Sequence, residues 1–132
     1  MRKVTKSMLE KCARLEGANI LACLTEEEID DAYNGIGADW MPEAMRDKLS
    51  KVWSTFEPAA VIHDCQFAHM QDRSRDMFHL CNRQFRDNCI ALAREKYPWW
   101  NIKRYVLAHN ADLMYDILED YGIGAWTWNA HN

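Results

Sequence analysis

The segment PAAVIHDCQF (58–67) places His63 and Asp64 next to each other in an otherwise apolar run. Neighbouring residues on a helix point about 100° apart, so these two side chains cannot simply pair with each other, and each needs its own partner. A buried carboxylate without a partner costs several kcal/mol. Two explanations remain open: ordinary core interactions, with Arg73 or Arg83 satisfying the carboxylate, or a histidine base beside an aspartate that binds a cation.

A glycine-containing loop upstream offers the further ligands that such a cation would need. A hard cation such as Ca²⁺ takes about six to eight oxygen ligands, many of them backbone carbonyls. The segment YNGIGADW (33–40) contains Gly35 and Gly37, which have no side chains to block their carbonyls. Calcium bound between this loop and Asp64 would polarise a substrate carbonyl oxygen beside His63. The alternative for the two glycines is an ordinary turn that ends a helix.

The elements that must position these residues are helices. Apolar residues recur at helical spacing along nearly the whole chain, which predicts an all-α fold. Capping residues and glycine or proline stops predict helices at about 6–15, 25–33, 42–54, 58–70, 74–96 and 102–121. A strand signal occurs only in AWTW (125–128). No linker or repeat divides the chain, so we predict a single domain over residues 1–132.

The two central helices are predicted to form a hairpin. The polar break at 71–74 is short, which makes the helices at about 58–70 and 74–96 antiparallel core neighbours with the other helices flanking them. His63 and Phe67 share one face of the first helix, with Asp64 beside it, and Asn82 falls in the apolar stripe of the second. His109 falls on the apolar stripe of the last helix, which favours a core position.

Three motifs in this order resemble the secreted phospholipase A2 superfamily. YNGIG (33–37) is similar to its calcium loop, IHDCQF (62–67) to its His-Asp helix, and SRDMFHLCNRQFRDNC (74–89) to the antiparallel helix that packs against it. The overall pattern is closest to the compact bacterial and prophage-encoded branch, which lacks the disulfide framework of the vertebrate enzymes. The resemblance covers about residues 33–92 and implies a phospholipase A2-like fold.

The resemblance also implies roles for individual residues. His63 would be the general base that activates water for attack on the sn-2 ester of a phospholipid. Asp64 would bind Ca²⁺ through its carboxylate, and Tyr33, Gly35 and Gly37 would supply backbone carbonyls. Calcium, with a loop N–H group, would stabilise the oxyanion, which is usually the largest contribution in acyl transfer.

Two positions depart from the family pattern. Phe67, on the substrate side of the histidine, replaces a tyrosine, and Asn82 replaces the aspartate that orients the imidazole. An amide can accept the hydrogen bond from the ring, but it cannot stabilise an imidazolium as a carboxylate does; the comparable change in serine proteases costs about 10⁴ in rate. These departures favour an alternative, a catalytically weakened phospholipase A2 fold used as a phage structural or lipid-binding module. A metal-dependent phosphohydrolase of the His-Asp class is disfavoured because no histidine precedes His63.

Charge and composition limit the partners. The 132-residue chain has a formal net charge of −4, which argues against nucleic acid and against simple electrostatic attraction to an anionic membrane. A phospholipid surface remains the expected partner, with the late tryptophans as either interfacial or packing residues: Trp99, Trp100, Trp126 and Trp128. The five cysteines lack zinc-binding spacing and favour buried thiols. The start of the chain has no signal-peptide pattern, so we expect cytoplasmic synthesis, with phage association or export left open. Nothing in the sequence indicates an oligomeric state.

Overall fold

The computed structural model describes residues 4–33 and 43–131, and these residues form helices joined by short turns. In chain order the helices are α1 (Lys6–Cys12), α2 (Asn19–Ala22), α3 (Glu26–Ala32), α4 (Glu43–His69), α5 (Arg75–Lys96), α6 (Ile102–Tyr121) and α7 (Ile123–His131). Neither described range contains a strand. The prediction of an all-α protein is therefore confirmed for this part of the chain.

Side-chain caps mark where α3, α5 and α6 begin. Thr25 and Glu28 form a reciprocal capping box at the start of α3. Ser74 accepts a hydrogen bond from the backbone N–H of Met77 at the start of α5, and Asn101 caps α6 in the same manner. Each cap satisfies backbone N–H groups that have no partner within the helix. These are the helix starts that the sequence predicted.

The predicted boundary at Pro58 is wrong. Instead of two helices at 42–54 and 58–70, α4 runs without interruption from Glu43 to His69 with Pro58 inside it. Proline removes one backbone donor and usually costs about 3 kcal/mol in a helix interior. Residues on both sides of it, including Phe56 and Ile62, are almost fully buried. Their burial outweighs that local cost, so the helix continues.

The strand signal in AWTW (125–128) is also overridden, because this segment lies within α7. Trp126 is 2% exposed and packs edge-on against Phe67, with the ring centroids 5.2 Å apart. Its indole N–H donates to the backbone carbonyl of Arg73, and the Arg73 guanidinium lies over the ring at 3.7 Å. Tertiary packing of one tryptophan therefore decides the conformation of a segment whose local preference is extended.

Three long helices form the framework of the site. Contacts between α4 and α5 run in opposite directions along the two helices: Thr55 with Lys96, His63 with Asn82, and Phe67 with Phe78. The contacts between α5 and α6 do the same, from His79 with Glu119 to Arg86 with Tyr115. Helix α5 therefore lies between two antiparallel neighbours. Within the described ranges, no helix combines the length and the apolar character needed to cross a membrane.

Candidate active site

His63 lies on the buried face of α4 and is 5% exposed. Its ring packs against Phe67, with centroids 4.2 Å apart, and against Phe85 at 5.1 Å. Burial lowers the pKa of His63 from 6.5 to about 4, although the hydrogen bond with Asn82 opposes that shift. The imidazole is therefore uncharged at neutral pH and has a nitrogen lone pair with which to accept a proton.

Asn82 is fully buried on α5 and bridges two other side chains. Its Oδ1 lies 2.8 Å from Nε2 of His63, and its Nδ2 donates to Oε2 of Glu119 at 3.0 Å. An ionised carboxylate only accepts hydrogen bonds, so the amide nitrogen must face Glu119 and the amide oxygen must face the histidine. His63 then carries its proton on Nε2, and Nδ1 is left as the accepting nitrogen.

The Glu119 carboxylate, on α6, receives hydrogen bonds from three side chains. Besides Asn82, the Tyr115 hydroxyl donates to Oε1 at 2.7 Å, and Nδ1 of His79 lies 2.8 Å from Oε2. Partial burial raises the pKa of Glu119, but the hydrogen bonds from Asn82, Tyr115 and His79 outweigh this and bring it below its ordinary value. The hydrogen bond to Glu119 also raises the pKa of Tyr115. Glu119 is therefore a fixed negative charge at neutral pH.

This carboxylate faces an open cleft of about 560 Å³ between the first turns of α5 and the last turns of α6. Its lining combines apolar side chains with charged side chains of both signs, including Asp72, Asp76, Arg83 and Glu119. Water can therefore reach the far side of Glu119, whereas the side toward Asn82 is buried. His63 on α4 is thus connected to Glu119 on α6 through the Asn82 amide on α5.

The residues predicted to bind calcium are described only in part. Gly35 and Gly37 lie outside the described residues. Tyr33 ends α3 and is 2% exposed, and its hydroxyl donates to Glu57 at 3.0 Å. Burial raises the pKa of this phenol, and the nearby carboxylates of Glu57 and Asp64 raise it further. The partly buried Asp64 carboxylate therefore acts electrostatically on the side chain of the residue at which the glycine loop begins.

These residues fit a hard cation in their chemistry. Asp64 and the Tyr33 carbonyl are oxygen donors, and calcium accepts backbone carbonyls in place of additional carboxylates. Among the described residues, no cluster of three or more His, Cys, Asp or Glu side chains is arranged to hold a metal ion. A cation bound by Asp64 in the manner that the resemblance implies would take backbone carbonyl oxygens as its further ligands.

Phe67 is placed beside the histidine, as predicted, and is 6% exposed. Besides His63, its ring contacts Phe78 at 5.9 Å and Trp126 at 5.2 Å. It therefore forms the apolar side of the histidine pocket and gives no hydrogen bond there.

Two further expectations can be compared with the structure. His109 was expected in the core, but it is exposed, so that prediction is wrong. Helix α6 buries Leu107 and Ala111 instead, and this places His109 on its opposite side. All five cysteines are free thiols and all but Cys23 are buried, in agreement with their predicted role as small apolar residues.

Sequence reasoning missed Glu119, together with Tyr115 and His79, which hold it. A signal was present: a buried asparagine has donors as well as an acceptor, so pairing Asn82 with His63 leaves an N–H group that needs an acceptor. Scans against protein-family models and searches of curated proteins and of solved structures return no match for this chain.

Proposed function

We propose that this protein is a hydrolase of the phospholipase A2 type that cleaves the sn-2 ester of phospholipids in a calcium-dependent reaction. The observation that carries the proposal is the state of His63: buried, uncharged, and held through Nε2 by Asn82 so that Nδ1 is the proton acceptor. A structural histidine needs only satisfied hydrogen bonds. A general base needs one nitrogen fixed and the other able to take a proton.

In the proposed reaction, Nδ1 of His63 removes a proton from a water molecule as the water oxygen attacks the ester carbonyl carbon. The proton then passes from the imidazolium to the sn-2 oxygen as the bond between that oxygen and the carbonyl carbon breaks. The products are a fatty acid and a lysophospholipid, and the histidine is neutral again. The Asn82 oxygen holds the Nε2–H group through both steps, so the ring keeps its orientation while its charge changes.

Asp64 and the carbonyls of Tyr33, Gly35 and Gly37 are the proposed ligands of calcium, which when bound would stabilise the negative charge on the ester oxygen. Asp64 is next to His63 in sequence but points about 100° away from it around α4. The same helical turn therefore presents a base in one direction and a cation ligand in the other. The proposal thereby gives a reason for the adjacent positions of His63 and Asp64 in an apolar segment.

A lipid surface is the proposed partner, and exposed aromatic residues support it. Trp99 and Trp100 are 72% and 69% exposed in the turn before α6, and the first turns of α6 add exposed Ile102, Tyr105 and Val106. Four basic side chains and one acidic side chain are interleaved with them in the segment 94–106. Tryptophan and tyrosine favour the boundary between water and lipid, and basic residues favour anionic headgroups. Trp126 is buried and is not part of this surface.

Two observations favour the alternative of a catalytically weakened lipid-binding or phage structural module. Phe67 gives the histidine pocket an apolar wall where the enzymes that the motifs resemble have a hydroxyl, and Asn82 contributes no negative charge of its own. Such a module would bind calcium and lipid without turnover.

The deciding experiment is hydrolysis of sn-2-labelled phospholipid in mixed micelles, with calcium and with a chelator. We expect calcium-dependent release of the labelled fatty acid, lost by at least about 10²-fold in His63→Gln. His69→Gln is the matched control, because this histidine lies in the same helix but is exposed. Release that persists in His63→Gln or in the chelator would contradict the proposal.

Calcium binding is measured separately by calorimetry, so that binding and turnover can be told apart. Asp64→Asn should abolish the binding heat, whereas the exposed carboxylate of Asp76 can be changed to asparagine without effect. Binding without turnover would favour the lipid-binding module. Absence of both would exclude the calcium site.

A further inference from the structure

The proposed reaction leaves Glu119 without a role, yet this carboxylate accepts hydrogen bonds from three side chains, one of which contacts the histidine. It lies 37 residues after Asn82 and on a different helix, and it accepts hydrogen bonds from Asn82, Tyr115 and His79. Holding one carboxylate with three donors is more than solubility or helix stability would require. Of these three donors, Asn82 is the one that is also hydrogen-bonded to His63.

The direction of the hydrogen bonds matters more than their number. Both ends of an asparagine amide look alike in shape, so a buried asparagine between two partners can in principle turn by 180°. A carboxylate cannot donate, and it therefore locks the Asn82 nitrogen toward itself. The amide oxygen is then fixed toward His63, where it can only accept, and Nε2 must carry the proton. The position of one proton on the imidazole is thus decided by a charge two side chains away.

We propose that Glu119 is a positioning residue that sets the tautomer of His63 through the Asn82 amide. Its negative charge also acts on the His63 ring through that amide, which itself carries no charge. The tautomer part of the proposal holds for the folded protein whatever its activity, whereas the catalytic consequence rests on the proposed hydrolase function. The wrong tautomer would present an N–H group, and not a lone pair, to the attacking water.

The arrangement also explains how an asparagine can occupy this position. Hydrogen bonds in a chain polarise one another, so an amide that donates to a carboxylate has a more negative oxygen than a free amide. This oxygen is 2.8 Å from Nε2 and becomes more strongly attractive when the ring is charged. Tyr115 and His79 keep Glu119 in place, and the Arg86 guanidinium covers the Tyr115 ring at 4.6 Å. We therefore treat Asn82 and Glu119 as one orienting unit.

The test replaces Glu119 by glutamine, which has the same shape but can both donate and accept. The Asn82 amide can then turn, and we expect the Nδ1–H tautomer of His63 to appear beside Nε2–H in ¹⁵N NMR of the histidine-labelled protein at neutral pH. The signals of His63 are identified by their loss in His63→Gln. Asp120→Asn is the matched control, since it neutralises the neighbouring exposed carboxylate of the same helix. A spectrum of Glu119→Gln that still shows only Nε2–H would overturn the proposal.

A reciprocal pair of changes tests the polarity of the hydrogen bond. Asn82→Asp alone places a second carboxylate against Glu119, and we expect it to lower stability. Adding Glu119→Gln to Asn82→Asp reverses the hydrogen bond, because the new amide donates to the new carboxylate. The double variant should regain both stability and the pure Nε2–H tautomer, and additive effects of the two changes would contradict a shared hydrogen bond.

Activity provides the third readout. If the protein hydrolyses phospholipid, Glu119→Gln should lower kcat by about 10- to 100-fold with KM changed less than about twofold, since substrate contacts are untouched. An unchanged kcat would exclude the catalytic consequence. If wild-type protein shows no hydrolysis but Glu119→Gln changes the tautomer, the proposed hydrolase function fails and the positioning role of Glu119 stands.

Discussion

His63 is a histidine that the fold keeps uncharged. Among the described residues, the ring contacts two aromatic rings and one neutral amide, and none of these carries a charge that could replace the hydration lost when the ring is protonated. The hydrogen bond with Asn82 favours the charged ring, but burial is the larger effect and brings the pKa to about 4. The surroundings that keep His63 an uncharged base at neutral pH therefore also make its protonation in acid destabilising for the folded protein.

This linkage predicts how stability depends on pH. The pKa of His63 is lower in the folded than in the unfolded protein, so between about pH 6.5 and 4 the unfolded state binds more protons. The free energy of unfolding should fall by up to about 3 kcal/mol from this residue as the pH is lowered through that range. The measurement is urea unfolding at a series of pH values, and His63→Gln should remove this component while keeping a neutral donor to Asn82.

The control for that prediction is His109→Gln, because this histidine is exposed. The free energy of unfolding of His109→Gln should depend on pH as that of the wild type does. The contribution of the carboxylates is the same in both proteins. If His63→Gln and His109→Gln give the same profile as the wild type, the buried histidine does not supply the pH dependence.

At the residue scale, the sequence was sufficient to predict that Asn82 faces His63, but not that Glu119 holds Asn82. Helical spacing puts His63 and Asn82 on facing stripes of a hairpin, and the structure joins them at 2.8 Å. Glu119 could not be found by spacing on the hairpin alone, because it comes from α6 and requires knowing which face of α6 packs on α5. Counting the donors of Asn82 would have shown that an acceptor was missing, without showing which one.

At the scale of elements, side-chain caps were predictable and the continuity of α4 was not. A cap depends on residues within one turn of each other, such as Thr25 with Glu28, so a short window contains the whole cause. Whether a helix continues through Pro58 depends on what its flanking residues pack against. The carbonyl of Pro58 accepts a hydrogen bond from the Cys12 thiol at 3.3 Å, a contact made across 46 residues.

The junction between α6 and α7 provides a prediction at the same scale. A Cβ added at Gly122 would lie 2.5 Å from the Leu118 carbonyl oxygen and 3.4 Å from the Phe78 ring. Since a backbone atom cannot move aside cheaply, Gly122→Ala should lower the free energy of unfolding by about 1–3 kcal/mol. The measurement is urea unfolding at neutral pH.

Gly124→Ala is the matched control two residues later. No atom lies within 4 Å of a Cβ added there, and the residue is inside α7. Alanine is favoured over glycine in a helix interior by about 0.5–1 kcal/mol, so this variant should be more stable than the wild type. Opposite signs for the two substitutions are expected. Equal changes in the free energy of unfolding would mean that the short distance between Gly122 and the Leu118 carbonyl does not exclude a side chain at position 122.

At the scale of the whole molecule, the antiparallel order of α4 and α5 could be predicted from their short connection. The character of the exposed surface at 94–106 could not be predicted from the net charge. The formal net charge of −4 argues against attraction to an anionic membrane. Charges are screened over about 8 Å at physiological ionic strength, so the local surface matters more than the total. In the segment 94–106, the basic side chains Arg94, Lys96, Lys103 and Arg104 accompany the exposed Trp99 and Trp100.

This surface predicts specific binding to lipid vesicles. Replacing Trp99 and Trp100 together by alanine should weaken binding to vesicles containing phosphatidylglycerol by at least about 10-fold, because each exposed indole gains by entering the lipid boundary. Lys103→Gln with Arg104→Gln should weaken binding to these vesicles but not to pure phosphatidylcholine, since each basic residue contributes about 1 kcal/mol only at an anionic surface. Both are measured by co-sedimentation at two salt concentrations.

Tyr121→Ala controls for the loss of any exposed aromatic residue. Tyr121 is 55% exposed, like Tyr105, but it ends α6, about 24 Å along the helix axis from Tyr105. Its removal should leave vesicle binding unchanged if the segment 94–106 is the contact surface. Equal losses in Tyr121→Ala and in the tryptophan pair would mean that lipid binding is not localised there. Unchanged binding in the tryptophan pair would mean that Trp99 and Trp100 do not form the contact with lipid.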